Sequence, residues 1–254
     1  MEINFKKKVV LVTGASRGIG RVTAKQFAEA GARLVVHYHQ NLKAAEQTLS
    51  DLPGGPHLLV RADLSDPEQV RQLTETIIQK MNRIHILVNN AGVFEEHPLV
   101  DISFEKWQQA WWKTISTNLM GPANLSFCVV KHMMNIGGGK IVNVSSRGAF
   151  RGEPTAPAYA ASKAGLNIFG QSIAKALAPH NIYVYTVAPG FVNTEMAAPF
   201  ISGPEGEAIK NQSPLGRIAK PEEVAKTIVF LSSKGTEYLT GCIIDINGAS
   251  YLRT

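Results

Sequence analysis

Seven short runs of apolar residues punctuate the chain: Val9–Val12, Leu34–Val36, Leu58–Val60, Ile84–Val88, Ile141–Val144, Tyr183–Val187 and Ile243–Ile246. Most are apolar on successive positions, not on alternate ones. A strand with one wet face alternates, whereas a strand covered on both faces does not. Longer stretches with helical character separate them: Arg21–Ala30, Leu42–Leu49, Pro67–Met81, Phe104–Met134, Tyr159–Ala178 and Pro221–Leu231. Pro67 and Pro221 suit the first turn of a helix. Strand–helix alternation along the whole length predicts one α/β domain over residues 1–254. It is a doubly wound, parallel, seven-stranded sheet with helices on both faces.

The stretch 189–214 breaks this rhythm. Pro189-Gly190, Pro199, Gly203-Pro204, Gly206 and Pro214 crowd into it. A long irregular excursion inside a compact α/β fold is more often functional than inert, so it reads as a substrate-side flap.

Composition narrows the class. Charged residues make up 18% of the 254 and hydrophobic ones 44%, which excludes a disordered chain. The net charge of +6 has one tight basic run, Lys6-Lys7-Lys8, which reads as the solvated lip of the first strand. That is too little for a nucleic-acid face, though it favours an anionic cofactor or substrate. Cys128 and Cys242 have no metal-ligand spacing and read as buried thiols, and no metal is expected. His97 and His132 read as surface residues. No run reaches the roughly 18 apolar residues of a membrane span, and none resembles a secretory leader. A cytoplasmic protein without membrane or nucleic-acid partners is expected.

Thr13-Gly14-Ala15-Ser16-Arg17-Gly18-Ile19-Gly20 follows the first strand and opens a helix. Glycines there let the backbone approach a pyrophosphate. The helix N-terminus adds free N–H groups and a partial positive charge. The expectation is a Rossmann-type dinucleotide site using Gly14, Ser16, Arg17, Gly18, Ile19 and Gly20. An acidic residue ending the second strand would select a free ribose and repel a 2′-phosphate. The strand ends Val36-His37-Tyr38-His39, and no Asp or Glu occurs between Gly31 and Glu46. With Arg17 available for a phosphate, and Tyr38 and His39 nearby, NADP(H) is favoured over NAD(H).

Tyr159 and Lys163 stand one helical turn apart on one face. A free tyrosine is a poor base at neutral pH, and a neighbouring ammonium lowers its pKa. Ser145-Ser146 follow the fifth strand, and a hydroxyl there suits the carbonyl oxygen that Tyr159 would serve.

On these residues the chain resembles the short-chain dehydrogenases/reductases over nearly its full length. Thr13–Gly20 matches the family's TGxxxGxG turn, Asn89-Asn90-Ala91-Gly92 its NNAG strand end, and Tyr159–Lys163 its YxxxK. Asn118 in Thr117-Asn118-Leu119 falls where the family has an asparagine, and Pro189-Gly190 with Thr194 matches PGxxxT. The resemblance implies catalytic Asn118, Ser146, Tyr159 and Lys163. It implies cofactor contacts from Asp63 and Leu64 near the adenine, from Asn90, Ala91 and Gly92, and from Pro189, Gly190, Val192 and Thr194 beside the nicotinamide. It implies carbonyl–alcohol interconversion: Tyr159 moves the proton, Ser146 holds the oxygen, Lys163 contacts the ribose and tunes Tyr159, and Asn118 holds a water. Homodimers or homotetramers joined through the long helices are usual in the family.

Within the family the chain is nearest to 3-oxoacyl-(acyl carrier protein) reductases. Those enzymes carry arginines at the site entrance. The matching positions, in 135–139 and at His180, lack arginine here, which leaves Lys131, Lys140 and Arg151 as substitutes. The stretch from Gly92 to Asn118 is longer than in many relatives and holds Trp107, Trp111 and Trp112, read as core or interface. Asn247-Gly248-Ala249 stands where relatives often have two glycines. A sugar or polyol dehydrogenase is the alternative activity. A non-catalytic NADP(H) sensor is the alternative class.

Overall fold

The computed structural model describes residues 3–253. Seven strands form one sheet: β1 Val9–Val12, β2 Arg33–Tyr38, β3 Leu58–Arg61, β4 Ile86–Asn89, β5 Gly139–Val144, β6 Ile182–Pro189 and β7 Ile243–Ile246. Every pairing is parallel, and the order is β3-β2-β1-β4-β5-β6-β7. Helices cover both faces: α1 Gly18–Glu29, α2 Leu42–Ser50, α3 Pro67–Met81, α4 Phe104–Ile115, α5 Gly121–Asn135, α7 Pro157–Leu177 and α10 Pro221–Ser232. A single turn, α6 Gly148–Arg151, follows β5.

Successive residues of one strand feed two cores. Val10 and Val12 point into a cluster with Phe27 of α1 and Ile228 of α10. Val9 and Leu11 enter a second cluster with Ile77 of α3 and Val129 of α5. This is the physical reason for unbroken apolar runs. The order reverses between β1 and β4, which opens a crevice at the carboxyl ends of those two strands, the usual ligand site of such sheets.

Several expectations need correction. The stretch 104–134 is not one α-helix: a π turn, Ser116–Met120, separates α4 from α5. The flap is not wholly irregular, for it contains α8 Ala198–Ile201 and α9 Gly206–Asn211. His97 is fully buried, because its ring accepts the Ala158 N–H at 3.1 Å and lies edge-on to Trp107. His132 is half-buried, and its Nε2 accepts the Ile84 N–H at 3.3 Å. Cys128 and Cys242 are half-buried, not buried. Trp107 and Trp111 are half-buried, while Trp112 is 70% exposed on α4. Ala249, at the lost second glycine, adopts φ 58°, a left-handed conformation costly for a residue with a Cβ. No helix of the described residues is long and apolar enough to cross a membrane.

Candidate active site

The glycine turn leaves β1 and enters α1. Gly14 takes φ 63° and Gly18 φ 52°, which side chains resist. Gly20 lies against the turn's own backbone: a Cβ there would stand 2.3 Å from the Gly14 carbonyl oxygen. The first hydrogen bond of α1 runs from the Arg21 N–H to the Arg17 oxygen at 3.1 Å, so the N–H groups of Gly18, Ile19 and Gly20 precede the helical ladder. A turn of bare backbone at the N-terminus of a twelve-residue helix fits a pyrophosphate. Arg17 is exposed and forms no ion pair within the described residues.

Neighbouring loops hold the turn. Thr13 Oγ1 accepts the Asn90 and Ala91 N–H groups at 2.9 and 3.0 Å. Asn90 Nδ2 donates to the Thr13 oxygen at 2.8 Å. Sequence reasoning missed two further residues. Arg21 donates to the Ser16 oxygen at 2.7 Å. His37, fully buried, accepts the Gly14 N–H through Nδ1 at 3.1 Å, and its Nε2 faces the Ala62 oxygen at 3.1 Å. Burial lowers His37 to about 4, so the ring is neutral and able to accept. The available signal was a histidine inside an otherwise apolar strand.

Beyond the carboxyl ends of β2 and β3, His39 Nε2 lies 3.5 Å from Asp63 Oδ2. Burial pushes the Asp63 carboxyl upward, but the Ser65 hydroxyl and N–H outweigh it and hold the group below its usual range. Tyr38 and Leu64 are buried beside them. On the other side, Gly190 N–H donates to the Ile246 oxygen at 3.0 Å, the Pro189 oxygen accepts the Arg147 N–H, and Val192 is buried. Thr194 closes on the turn: a Cβ on Gly18 would stand 3.2 Å from its methyl.

The remaining candidates converge beyond β4 and β5. Asn118 lies in the π turn, fully buried; its Oδ1 accepts the Val93 N–H at 2.8 Å and its Nδ2 donates to the Val93 oxygen at 2.9 Å. Gly92 separates it from Lys163, since a Cβ there would lie 3.3 Å from Asn118 Oδ1 and 3.5 Å from Lys163 Nζ. Lys163 Nζ donates to the Val144 oxygen at 2.8 Å, and Ser145 Oγ donates to the Lys163 oxygen at 3.2 Å. Ser146 Oγ accepts the Gly148 N–H at 3.0 Å and stands beside the Tyr159 phenol.

The expected lowering of Tyr159 by Lys163 is not what the protein alone shows. Burial pushes the phenol up to about 12, with Ser146 pulling weakly the other way. Lys163 Nζ sits 5.8 Å from the centre of the Tyr159 ring, and burial pulls it down to about 8. Desolvation dominates, so the Tyr159 phenol stays protonated across neutral pH.

Lys163 therefore carries a stability cost with a definite pH window. Its folded value of about 8 lies below an ordinary 10.5, so between these values the unfolded chain binds more protons. Folding then gains stability as pH rises through that window, and the cost is complete below it. Lys163→Met is expected to stabilise the fold at pH 7 by about 2 kcal/mol, the desolvation cost less the lost bond to Val144. The gain should shrink between about pH 8 and pH 10.5. Denaturant unfolding across pH measures it, and parallel curves for both proteins would contradict the argument.

Of the three cations expected to replace the entrance arginines, Lys140 is held elsewhere. Its Nζ caps the Ser233 carbonyl and binds Thr236 Oγ1 at 2.8 Å and Glu237 at 3.1 Å. Arg151 pairs with Glu153 at 3.2 Å, and Lys131 lies over the Phe127 ring.

Residues 14–249 match the family model described as enoyl-(acyl carrier protein) reductase. The chain is 40% identical to a 3-oxoacyl-[acyl-carrier-protein] reductase of Thermotoga maritima, over 97% of this chain and 98% of that protein. It is 36% identical to the protein of the same name from Aquifex aeolicus, over 99% and 100%. For that of Escherichia coli the identity is 35%, over 98% and 100%.

Proposed function

The chain belongs to the short-chain dehydrogenase/reductase family, as an oxidoreductase of the carbonyl–alcohol class, and on that premise we propose that it reduces 3-oxoacyl thioesters with NADPH. The observation that carries this reading is one crevice at the carboxyl ends of β1, β4 and β5. A bare-backbone turn stands on one side of it, with Asn118, Ser146, Tyr159 and Lys163 on the other.

When bound, the nicotinamide cofactor supplies the hydride that reduces the carbonyl carbon. Gly14 and Ser16–Gly20 would hold its phosphates, Tyr38, His39, Asp63 and Leu64 its adenosine half, and Asn90–Gly92, Pro189, Gly190, Val192 and Thr194 its nicotinamide half. Ser146 donates a hydrogen bond to the substrate oxygen, where negative charge develops. Tyr159, protonated at neutral pH, delivers the proton that completes the alcohol. Lys163 would contact the cofactor's ribose, and it adds positive charge behind the phenol. Asn118 fixes the Val93 backbone next to Lys163, where it would hold a water. Exposed apolar side chains on α4, α5 and α7 (Phe104, Trp112, Phe127, Ile168) support self-association through those helices into a homodimer or homotetramer.

The test is NADPH oxidation with 3-oxobutanoyl thioester, compared with glucose oxidation under NADP and NAD. Turnover of the thioester supports the reading, and turnover of glucose alone favours the polyol alternative. Tight NADPH binding with no turnover on any carbonyl favours the sensor. Arg17 carries the cofactor preference. Arg17→Ser is expected to lower kcat/KM for NADPH by roughly 10- to 100-fold, the loss of a charge-assisted phosphate contact, and to leave NADH nearly unaffected. Equal use of both cofactors by the unaltered protein would sink this assignment.

A further inference from the structure

We propose that Phe94 and Phe200 determine which carbonyl compounds enter: Phe94 is a fixed aromatic wall beside Tyr159, Phe200 is the movable cover over it, and together they select substrates with an apolar chain next to the reacting carbon. This rests on the carbonyl-reduction reading and adds the substituent that the site prefers.

The Phe94 ring stands edge-on to Tyr159 with centroids 5.0 Å apart and an interplanar angle of 68°. Its other neighbour is Phe200, at 5.5 Å and 85°. Three rings thus run from the proposed proton donor to the flap. A carbonyl oxygen at the Tyr159 hydroxyl sets its substituent against Phe94, in the space that Phe200 covers. Aromatic surfaces reward apolar chains there and penalise hydroxyls stripped of water.

Phe94 is fixed because its loop is tied at both ends. Asn118 holds the preceding Val93 through both its N–H and its oxygen. Beyond it, the His97 N–H donates to the Thr155 oxygen at 2.7 Å, and His97 Nε2 accepts the Ala158 N–H. That acceptor role leaves the ring proton on Nδ1, which donates to the Glu95 oxygen at 2.8 Å. Ala158 precedes Tyr159 on α7, so wall and proton donor share one support.

Phe200 has the opposite surroundings. It sits on α8, a single turn in which no residue is buried. The flap's return limb, by contrast, is anchored. Arg147, 3% exposed and paired with no carboxylate of the described residues, donates to Gln212 Oε1 and Ser250 Oγ. Ser213 Oγ donates to the Gly248 oxygen at 2.6 Å. The flap therefore has a fixed root at Gln212-Ser213 and a loosely held tip at Phe200. Two of the nearby charge pairs are already closed, Glu95 with Lys113 at 2.6 Å and Arg151 with Glu153 at 3.2 Å.

The experiment is a chain-length series of 3-oxoacyl N-acetylcysteamine thioesters, from 3-oxobutanoyl to 3-oxododecanoyl. Turnover is measured with NADPH, and binding to the NADPH complex by calorimetry. In the unaltered protein kcat/KM should rise with length, by up to about fourfold per methylene until the wall is covered. Phe94→Ala should flatten that slope, Phe94→Leu should restore most of it, and Phe200→Ala should reduce it in part. A length-independent unaltered protein overturns the proposal. So does Phe94→Ala that lowers every member by one common factor, since that marks a merely structural ring. If no member is reduced, the carbonyl reading fails separately. Binding then decides: length-dependent affinity lost in Phe94→Ala upholds the wall, and equal affinities reject it.

Discussion

Tyr159→Phe is expected to lower the rate of carbonyl reduction by about 10²- to 10⁴-fold, the usual worth of a positioned general acid. The substitution removes one oxygen and keeps the ring, so the edge-on contact with Phe94 and the packing of α7 survive. NADPH affinity should therefore change little. Burial holds the phenol at about 12, so the unaltered protein keeps its proton donor through neutral pH. Single-turnover oxidation of NADPH with a 3-oxoacyl thioester reads the effect without interference from product release. A variant that reduces substrate at the original rate would remove Tyr159 from the mechanism.

Gly20→Ala is expected to weaken NADPH binding by about 10²-fold, the scale of a displacement of roughly 1 Å in a positioning element. The new Cβ would meet the Gly14 oxygen at 2.3 Å and Asn90 Nδ2 at 2.5 Å. Neither is the free end of a flexible chain. The Gly14 oxygen is backbone, and Asn90 is held by the Thr13 oxygen. The turn must shift, and the shift falls on the N–H groups that would receive phosphate. Overpacking of this kind also costs about 1–3 kcal/mol of stability. Gly216 is the control. It takes φ 64° but has nothing within 4 Å of a new Cβ, so Gly216→Ala strains the backbone and leaves binding intact. Fluorescence titration of NADPH separates the two, and unchanged affinity in Gly20→Ala would refute the role given to the turn.

Much of this architecture was legible from pattern. Unbroken apolar runs reported strands of a covered sheet, and all seven lie in it, with the edge strands β3 and β7 only partly buried. The glycine turn was legible because backbone conformation restricts residue type there. What failed to show depended on partners far away in sequence. The burial of His97 follows from Ala158, and the capture of Lys140 from Ser233 and Glu237. His37 spans two loops that only the folded sheet brings together. The Tyr159–Lys163 spacing was readable, but the desolvation of both groups was not, because it depends on burial. The π turn was invisible for another reason: hydrophobic periodicity cannot reveal one extra residue among thirty.

That extra residue links the site to the outer surface. An α-helix advances about 100° per residue, and a π turn takes up one extra residue without that advance. The π turn at Ser116–Met120 carries Asn118 inward and also sets the rotational phase of α5 relative to α4. Phe104 and Trp112 upstream, and Phe127 downstream, show the outward directions that phase allows. Winding the same residues as an uninterrupted α-helix would swing Asn118 off the Val93 backbone and turn the outer apolar face of α5 away from that of α4 in a single event. Catalytic geometry and the outer face are thus inherited together, through the winding of one helix.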